Sequence, residues 1–320
     1  STSRRQRQMC IRDRGNWVLD QVINATGITI DLELIKAALE ANDEFTKGVY
    51  DELVNITGID NPNSLPQLKR WLCQELGYEV HSLGKDYLKD ALDGDLLPDH
   101  VQRVFRLRQL ASNTSISKYD TMLAYMCKDG RIRGLLQFYG ANRTGRFAGR
   151  GVQIQNLKRT LKKGLETARE AVRKGIADLL YDNLPDVISR ITRTALVAAP
   201  GYSLVVSDFS AIEARVLAWE AGEEWVLDVF HTHGKIYEAT AANMFHVPLE
   251  MISHGSDLRA KGKVATLALG YQGSVGALIA MGALREGLTE GELPAIVKAW
   301  RSANPNIVKY WREVEAAAKH

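Results

Sequence analysis

The stretch LVVSDFSAIEARVLAW (residues 204–219) changes character in its middle. Leu204, Val205 and Val206 form the short apolar run of a buried strand, whereas the residues after Ser210 have the spacing of an amphipathic helix. Two carboxylates, Asp208 and Glu213, stand at the joint. An acid at the carboxyl end of a strand faces the crevice in which α/β-type sheets bind ligands. It is equally the kind of residue that turns a chain after a strand, and from these five residues both readings stay open. As a ligand, Asp208 suits Mg²⁺, because hard divalent ions take carboxylate and carbonyl oxygens, and the backbone carbonyl of Phe209 is a natural second donor. Glu213 has a structural reading of its own. Ser210-Ala-Ile-Glu213 has the form of a capping box, in which Ser210 accepts from the Glu213 amide and Glu213 reaches back.

Downstream, RAKGKVATLALGY (259–271) places Arg259, Lys263, Leu267 and Tyr271 four residues apart. On an α-helix such steps drift by only about 40°, so the four form one slanted stripe. Two cations, an apolar residue and an aromatic hydroxyl suit a nucleoside triphosphate: phosphates at Arg259 and Lys263, base over Leu267, Tyr271 at the far end. An ordinary amphipathic helix with two solvated cations is the alternative. Gly262 and Gly270 count against it, since a glycine inside a helix costs about 1 kcal/mol unless packing or close approach requires it. Upstream, GANRTGRFAGRGVQIQNLKR (140–159) interleaves four glycines with four arginines, which lets backbone approach a phosphate chain, and Gln153, Gln155 and Asn156 can hold nucleotide edges. A flexible basic loop would read the same way.

The 320 residues allow two or three compact units, with 45% hydrophobic and 25% charged residues and a formal net charge of +3. No apolar run is long enough to span a bilayer, so no membrane association is expected. Three scattered cysteines, Cys10, Cys73 and Cys127, form neither a disulfide framework nor a zinc knuckle, which fits a reducing cytoplasm. His231, His233, His246 and His254 lack metal-ligand spacing, and GYQGSVG (270–276) lacks the Gly-Lys-Ser/Thr ending of a phosphate loop. Charge is uneven: residues 143–175 hold ten Lys/Arg against two Glu, either a solvated helix face or a phosphate-binding track. Residues 1–14 carry five arginines without apolar periodicity, and QRQMCIRDR resembles translated sequencing-adapter sequence, so a non-native leader is expected there.

Helical spacing dominates residues 15–128. Trp17, Val18, Val22 and Ile23 recur before Gly27, Ile28-Thr29-Ile30 reads as extended, and Asp31 reads as the N-cap of LELIKAALEANDEF. SLPQLKRWLCQELG reads as a helix capped by Ser64, with Pro66 in its first turn and Gly77 at its end. Residues 101–127 read as one long helical stretch, with Arg103, Arg106, Arg108 and Lys118 beside Ser112, Asn113, Thr114 and Ser115. Strands and turns are expected over 130–156, a basic helix over 157–180, and helices over 236–245 and from about Ser256. The tryptophans Trp71, Trp219, Trp225, Trp300 and Trp311 read as packing residues.

In order, these stretches resemble the DNA polymerase I family (family A). DFSAIEARVLAW is similar to its motif A, D-Y-S-Q-I-E-x-R; RAKGKVATLALGY to its motif B, R-x3-K-x3-[FYL]-x3-Y; TGRFAGRGVQIQNLKR to its T-G-R…N-L-Q-N-I-P segment. INATGITID and SLPQLKRWLCQELG resemble its thumb, and the deviations have the style of phage members. The resemblance implies an α+β right-hand architecture: a thumb-like helical region over 15–128, palm with antiparallel sheet over 129–220, and helical fingers over 221–320. It implies a template-directed DNA polymerase adding deoxynucleoside triphosphates to the primer of a primer-template DNA, working as a monomer with two Mg²⁺ ions, in the host cytoplasm if viral. By resemblance, Asp208 (with the Phe209 carbonyl) is a metal ligand. Arg259 and Lys263 neutralise the triphosphate, Lys263 protonating the leaving group, and Tyr271 sits by the templating base. Glu213 walls off a ribose 2′-hydroxyl against Tyr271. Arg146, Gln155 and Asn156 meet DNA near the primer terminus, Ser112 and Lys118 hold DNA phosphates, and Arg215 braces the palm.

Departures accompany the resemblance. Ala211 stands where glutamine is common, Leu267 replaces the usual aromatic, Gln272 follows Tyr271, and Tyr237 stands where a phosphate-contacting histidine is frequent. The His-Asp-Glu hairpin of motif C, source of the second metal carboxylate, does not follow motif B in these residues, so the chain is expected to be a truncated polymerase that is inactive alone. Two rivals remain at this level: a single-subunit phage-type RNA polymerase, for which glycine would be expected at position 213, and a non-catalytic DNA-binding remnant.

Overall fold

Asp31 starts the helix that organises the first part of the chain, its Oδ1 accepting from the Leu34 amide at 3.0 Å. The computed structural model describes the backbone of residues 2–319 except 81, 85–86, 89–90, 93, 95–96, 112–115 and 142–143, and side chains from residue 14 onward. It divides into two compact units, Ser1–Val205 and Val206–His320.

In the first unit, α1 (Thr2–Thr26) leads into β1 (Ile28–Ile30) and α2 (Leu32–Thr57). The extended Ile28-Thr29-Ile30 and the Asp31 cap are as the sequence indicates, but α2 continues twelve residues past the expected helix, to Gly58 in the left-handed conformation. Because it is long, α2 serves two cores. Leu34, Ile35 and Ala38 enter one with Tyr119, Ile132 and Ile188. Val49 and Leu53 enter the other, a helical cluster with α3 (Leu65–Leu76) and α4 (Asp99–Ala111) through Leu68, Leu72, Val104 and Phe105. Gly77 ends α3 as expected, but Ser64, at its N-cap position, makes no side-chain cap bond. The stretch expected to be one helix comprises α4 and α5 (Ser117–Tyr125), with residues 112–115 between them outside the described set.

The sheet is antiparallel throughout, ordered β2 (Arg131–Ile132), β1, β5 (Leu196–Val197), with Ile28 opposite Ile132 and Ile30 opposite Leu196. A second antiparallel pair joins β3 (Leu136–Gln137) to β4 (Ala148–Gly149). The basic helix is shorter than its charge pattern indicates: α6 spans only Leu165–Arg173, and α7 (Leu184–Ile191) follows. Its cations are partly structural. Arg173 donates to Asp31 and Arg169 lies 3.7 Å from the same carboxylate, so the α2 cap is itself neutralised by α6.

The second unit is helical: α8 (Ile212–Ala221), α9 (Glu224–His231), α10 (Ile236–Phe245), α11 (Asp257–Leu269), α12 (Val275–Ala280), α13 (Leu293–Ala303) and α14 (Pro305–Lys319). Val264, Ala265, Leu269, Leu293, Ile296 and Trp300 form its core. Trp300 stacks on Trp311, Trp225 donates to the Ala303 carbonyl, and Trp219 departs from the expected packing role at 72% exposure. Buried Glu223 accepts from the Asn306 and Ile307 amides at the start of α14, and burial raises its carboxyl above the usual range against those two bonds. Among the described residues, no helix is long and apolar enough to cross a membrane.

Two expectations for residues 204–219 do not hold. Residues 204–208 form no strand: a strand exists through its neighbours, no described strand pairs with this run, and Val205 and Val206 are 93% and 90% exposed. The capping box is absent as well. The N-cap is Ala211 rather than Ser210, held at φ 52°, and it makes no side-chain cap bond. Arg215 braces this turn instead, donating from Nε to the Ser210 carbonyl at 2.8 Å and lying 4.0 Å over the Phe230 ring.

Candidate nucleotide site

Motif B is helical because its first turn is capped and its inner face is small and apolar. The Ser256 hydroxyl accepts from the Arg259 amide, and Gly262, Val264, Ala265, Ala268 and Leu269 are buried. The glycine is required by packing. A Cβ on Gly262 would lie 2.2 Å from the Tyr237 carbonyl oxygen and 2.9 Å from the Ala241 Cβ, so α10 and α11 touch backbone to backbone there. One turn on, the Thr266 hydroxyl bonds to that of Thr240 at 3.1 Å. The cost of Gly262 is therefore offset by helix contact, and no ligand is needed to explain it.

α8 and α11 border one cavity of about 240 Å³ within the second unit. Asp208, Phe209, Glu213, Leu267 and Tyr271 all line it, together with Ala214, Leu217, Thr240, Thr266, Gly270 and Trp300. Motif A and motif B residues up to 63 positions apart in sequence are thus brought together, with carboxylates on the motif A side and an apolar residue and a phenol on the motif B side. The stripe is shorter than expected. α11 ends at Leu269, and Tyr271 lies in the turn beyond it, exposed but still on the cavity. Asp208 is exposed and Glu213 half-buried.

Arg259 and Lys263 do not line the cavity. Lys263 is exposed on α11. Arg259 donates from Nε to Glu238 Oε1 at 2.6 Å, and its guanidinium carbon lies 5.5 Å from the Tyr237 ring centroid. Glu238 is not singled out by the sequence as a partner of Arg259. Its signal was only an acid on the expected 236–245 helix, next to the departure at Tyr237.

The expected DNA-contacting residues belong to the first unit. Gln155 is exposed, and its amide packs so closely on Gly149 that a Cβ there would lie 2.1 Å from Nε2. Asn156 donates to the Gln153 side chain at 3.3 Å, Arg146 is exposed, and Lys118 is half-buried on α5. Ser112 lies outside the described residues. The basic track is partly consumed by ion pairs, Lys158 with Asp186 and Arg169 and Arg173 with Asp31, while Arg159, Lys162 and Lys163 stay exposed.

A divalent ion would find only part of a donor set here. Among the described residues, no three His, Cys, Asp or Glu side chains cluster as metal ligands, and Asp208 with the Phe209 carbonyl supplies hard oxygen donors of the kind Mg²⁺ prefers.

The family model for DNA polymerase family A matches residues 33–320. A DNA polymerase of Bacillus phage SP02 is 54% identical over 305 residues, covering 94% of this chain and 47% of the phage protein. The thermostable DNA polymerase I of Thermus aquaticus is 28% identical over 240 residues, covering 72% of this chain and 25% of that protein. The chain thus spans about half the length of the phage relative and about a quarter of the Thermus one. Among solved structures, the POL domain of Pol1 from M. smegmatis, in complex with DNA primer-template and dNTP, shares the fold with a TM-score of 0.59 at 19% identity, covering 92% of this chain and 47% of that one. The chain belongs to DNA polymerase family A.

Proposed function

We propose that this chain carries the thumb, part of the palm and the fingers of a template-directed DNA polymerase, and that its cavity receives a deoxynucleoside triphosphate. The observation that carries the reading is the convergence of Asp208, Glu213, Leu267 and Tyr271 on one cavity within a family A chain. Leu267 and Tyr271 form the apolar and aromatic wall for sugar and base. Glu213, beside them, occupies the place of a carboxylate that excludes a 2′-hydroxyl. This disfavours the RNA polymerase reading, as does the family. Lys263 and Arg259 supply positive charge to the phosphates, and Lys263 is placed in the family pattern to protonate the leaving pyrophosphate. Asp208 and the Phe209 carbonyl would hold Mg²⁺. Two such ions, when bound, lower the pKa of the primer 3′-hydroxyl and stabilise charge on the attacked phosphate.

Primer-template DNA would be held through phosphate contacts at Lys118, Ser112 and the exposed cations, and through Arg146, Gln155 and Asn156 near the primer end. The protein would act as a monomer in the cytoplasm, that of the host if it is viral. No His-Asp-Glu run follows motif B in these residues, so the carboxylate that the family takes from that hairpin for its second metal is not among them. The expected behaviour of the 320-residue chain is therefore primer-template binding that weakens as salt rises, without primer extension. Fluorescence anisotropy across a NaCl series and a primer-extension gel measure both. Binding without salt dependence overturns the DNA assignment, and normal synthesis overturns the incompleteness of the site.

A further inference from the structure

The Arg259–Glu238 pair is unusual for a cation assigned to a polyphosphate. The Glu238 side chain is only 9% exposed, and that of Arg259 only 23%. The contact is monodentate, with Nε donating at 2.6 Å, and among the described residues Nη1 and Nη2 donate no hydrogen bond. This differs from the Arg103–Glu52 pair in the first unit, where Nε and Nη2 both donate to one carboxylate. Tyr237 lies alongside the same guanidinium. The two helices also pack against each other through the Gly262 contact and the Thr240–Thr266 bond, so the backbone that carries Glu238 is seated on α11.

We propose that Glu238 is a positioning residue for Arg259, tethering its Nε so that the two Nη nitrogens are presented together as a fork for the phosphates of an incoming nucleoside triphosphate. A planar guanidinium has two usable edges, and a phosphate is matched by two parallel N–H donors. Occupying Nε with a carboxylate leaves the other edge for the ligand and removes rotamers that phosphate binding would otherwise have to freeze. The tether also keeps the buried carboxylate paired, which its burial demands. Position, rather than charge, is what Glu238 contributes: by charge alone it opposes a polyanion.

This inference rests on reading α11 as the triphosphate-binding helix, and the test separates the two. Calorimetric titration of the 320-residue chain with dATP and with dAMP, in Mg²⁺, gives a triphosphate preference for each variant. Glu238→Gln keeps an oxygen that accepts from Nε and is expected to retain the preference within about twofold. Glu238→Ala is expected to lose at least about fivefold of it. Glu238→Asp keeps the charge on a shorter arm and is expected to lose it as Ala does, which also covers an Ala variant that does not fold. A preference that survives in Ala and Asp but vanishes in Arg259→Ala overturns the positioning role alone. A rise in triphosphate affinity in both Gln and Ala overturns it in favour of simple repulsion. A wild-type chain that binds dATP no better than dAMP overturns the triphosphate reading and this proposal with it.

Discussion

Glu213 meets on its cavity residues that are distant from it in sequence. It is the second residue of α8, half-buried, and borders the same cavity as Leu267 and Tyr271. The expected cap is replaced by a left-handed Ala211 and by Arg215 holding the turn. If Glu213 excludes a 2′-hydroxyl, Glu213→Ala narrows the preference for dATP over ATP by about tenfold, equivalent to about 1.4 kcal/mol. Competition binding with the two triphosphates checks it, and an unchanged ratio removes the gating role. Glu238 belongs to the same scale. It became visible only when its partner, 21 residues away, was placed 2.6 Å from it.

Between elements, the contact of α10 with α11 sets the shape of the site. Gly262 permits the approach, and Thr240 and Thr266, both on the cavity wall, fasten it. A methyl group at position 262 would have to displace the Tyr237 carbonyl. Gly262→Ala is therefore expected to destabilise the second unit by about 1–3 kcal/mol. Gly48 lies inside α2, where an added Cβ would meet nothing within 4 Å, so Gly48→Ala is expected to stabilise the first unit by about 0.5–1 kcal/mol. Denaturant midpoints at constant m-value measure the two shifts, and equal signs would contradict this account. The same logic applies to α6, whose arginines were legible as a basic face. That face partly turns to the Asp31 cap of α2, a choice made by packing rather than by charge pattern.

At the scale of the whole molecule, the boundary between units falls at Val205/Val206, inside the stretch that carries motif A. Residues 201–210 are all exposed and make no strand, so this segment is the expected site of proteolytic entry. Brief chymotrypsin digestion should cut after Tyr202 or Phe209 and leave two pieces corresponding to the two units, and mass spectrometry of the first products locates the cut. Early cleavage elsewhere, within either core, would contradict it. The sequence by itself determined the family, the order of the motifs, the 236–245 helix and the start of α11, because cap residues, glycine stops and four-residue spacing are local signals that need no partner. Only the tertiary structure decided that residues 204–208 are unpaired, that α6 is short, that Gly262 serves helix contact, and that Arg259 is tied to Glu238. Each of these depends on which distant residue arrives alongside, and strand pairing, close approach and ion pairing are properties of two segments that neither carries alone.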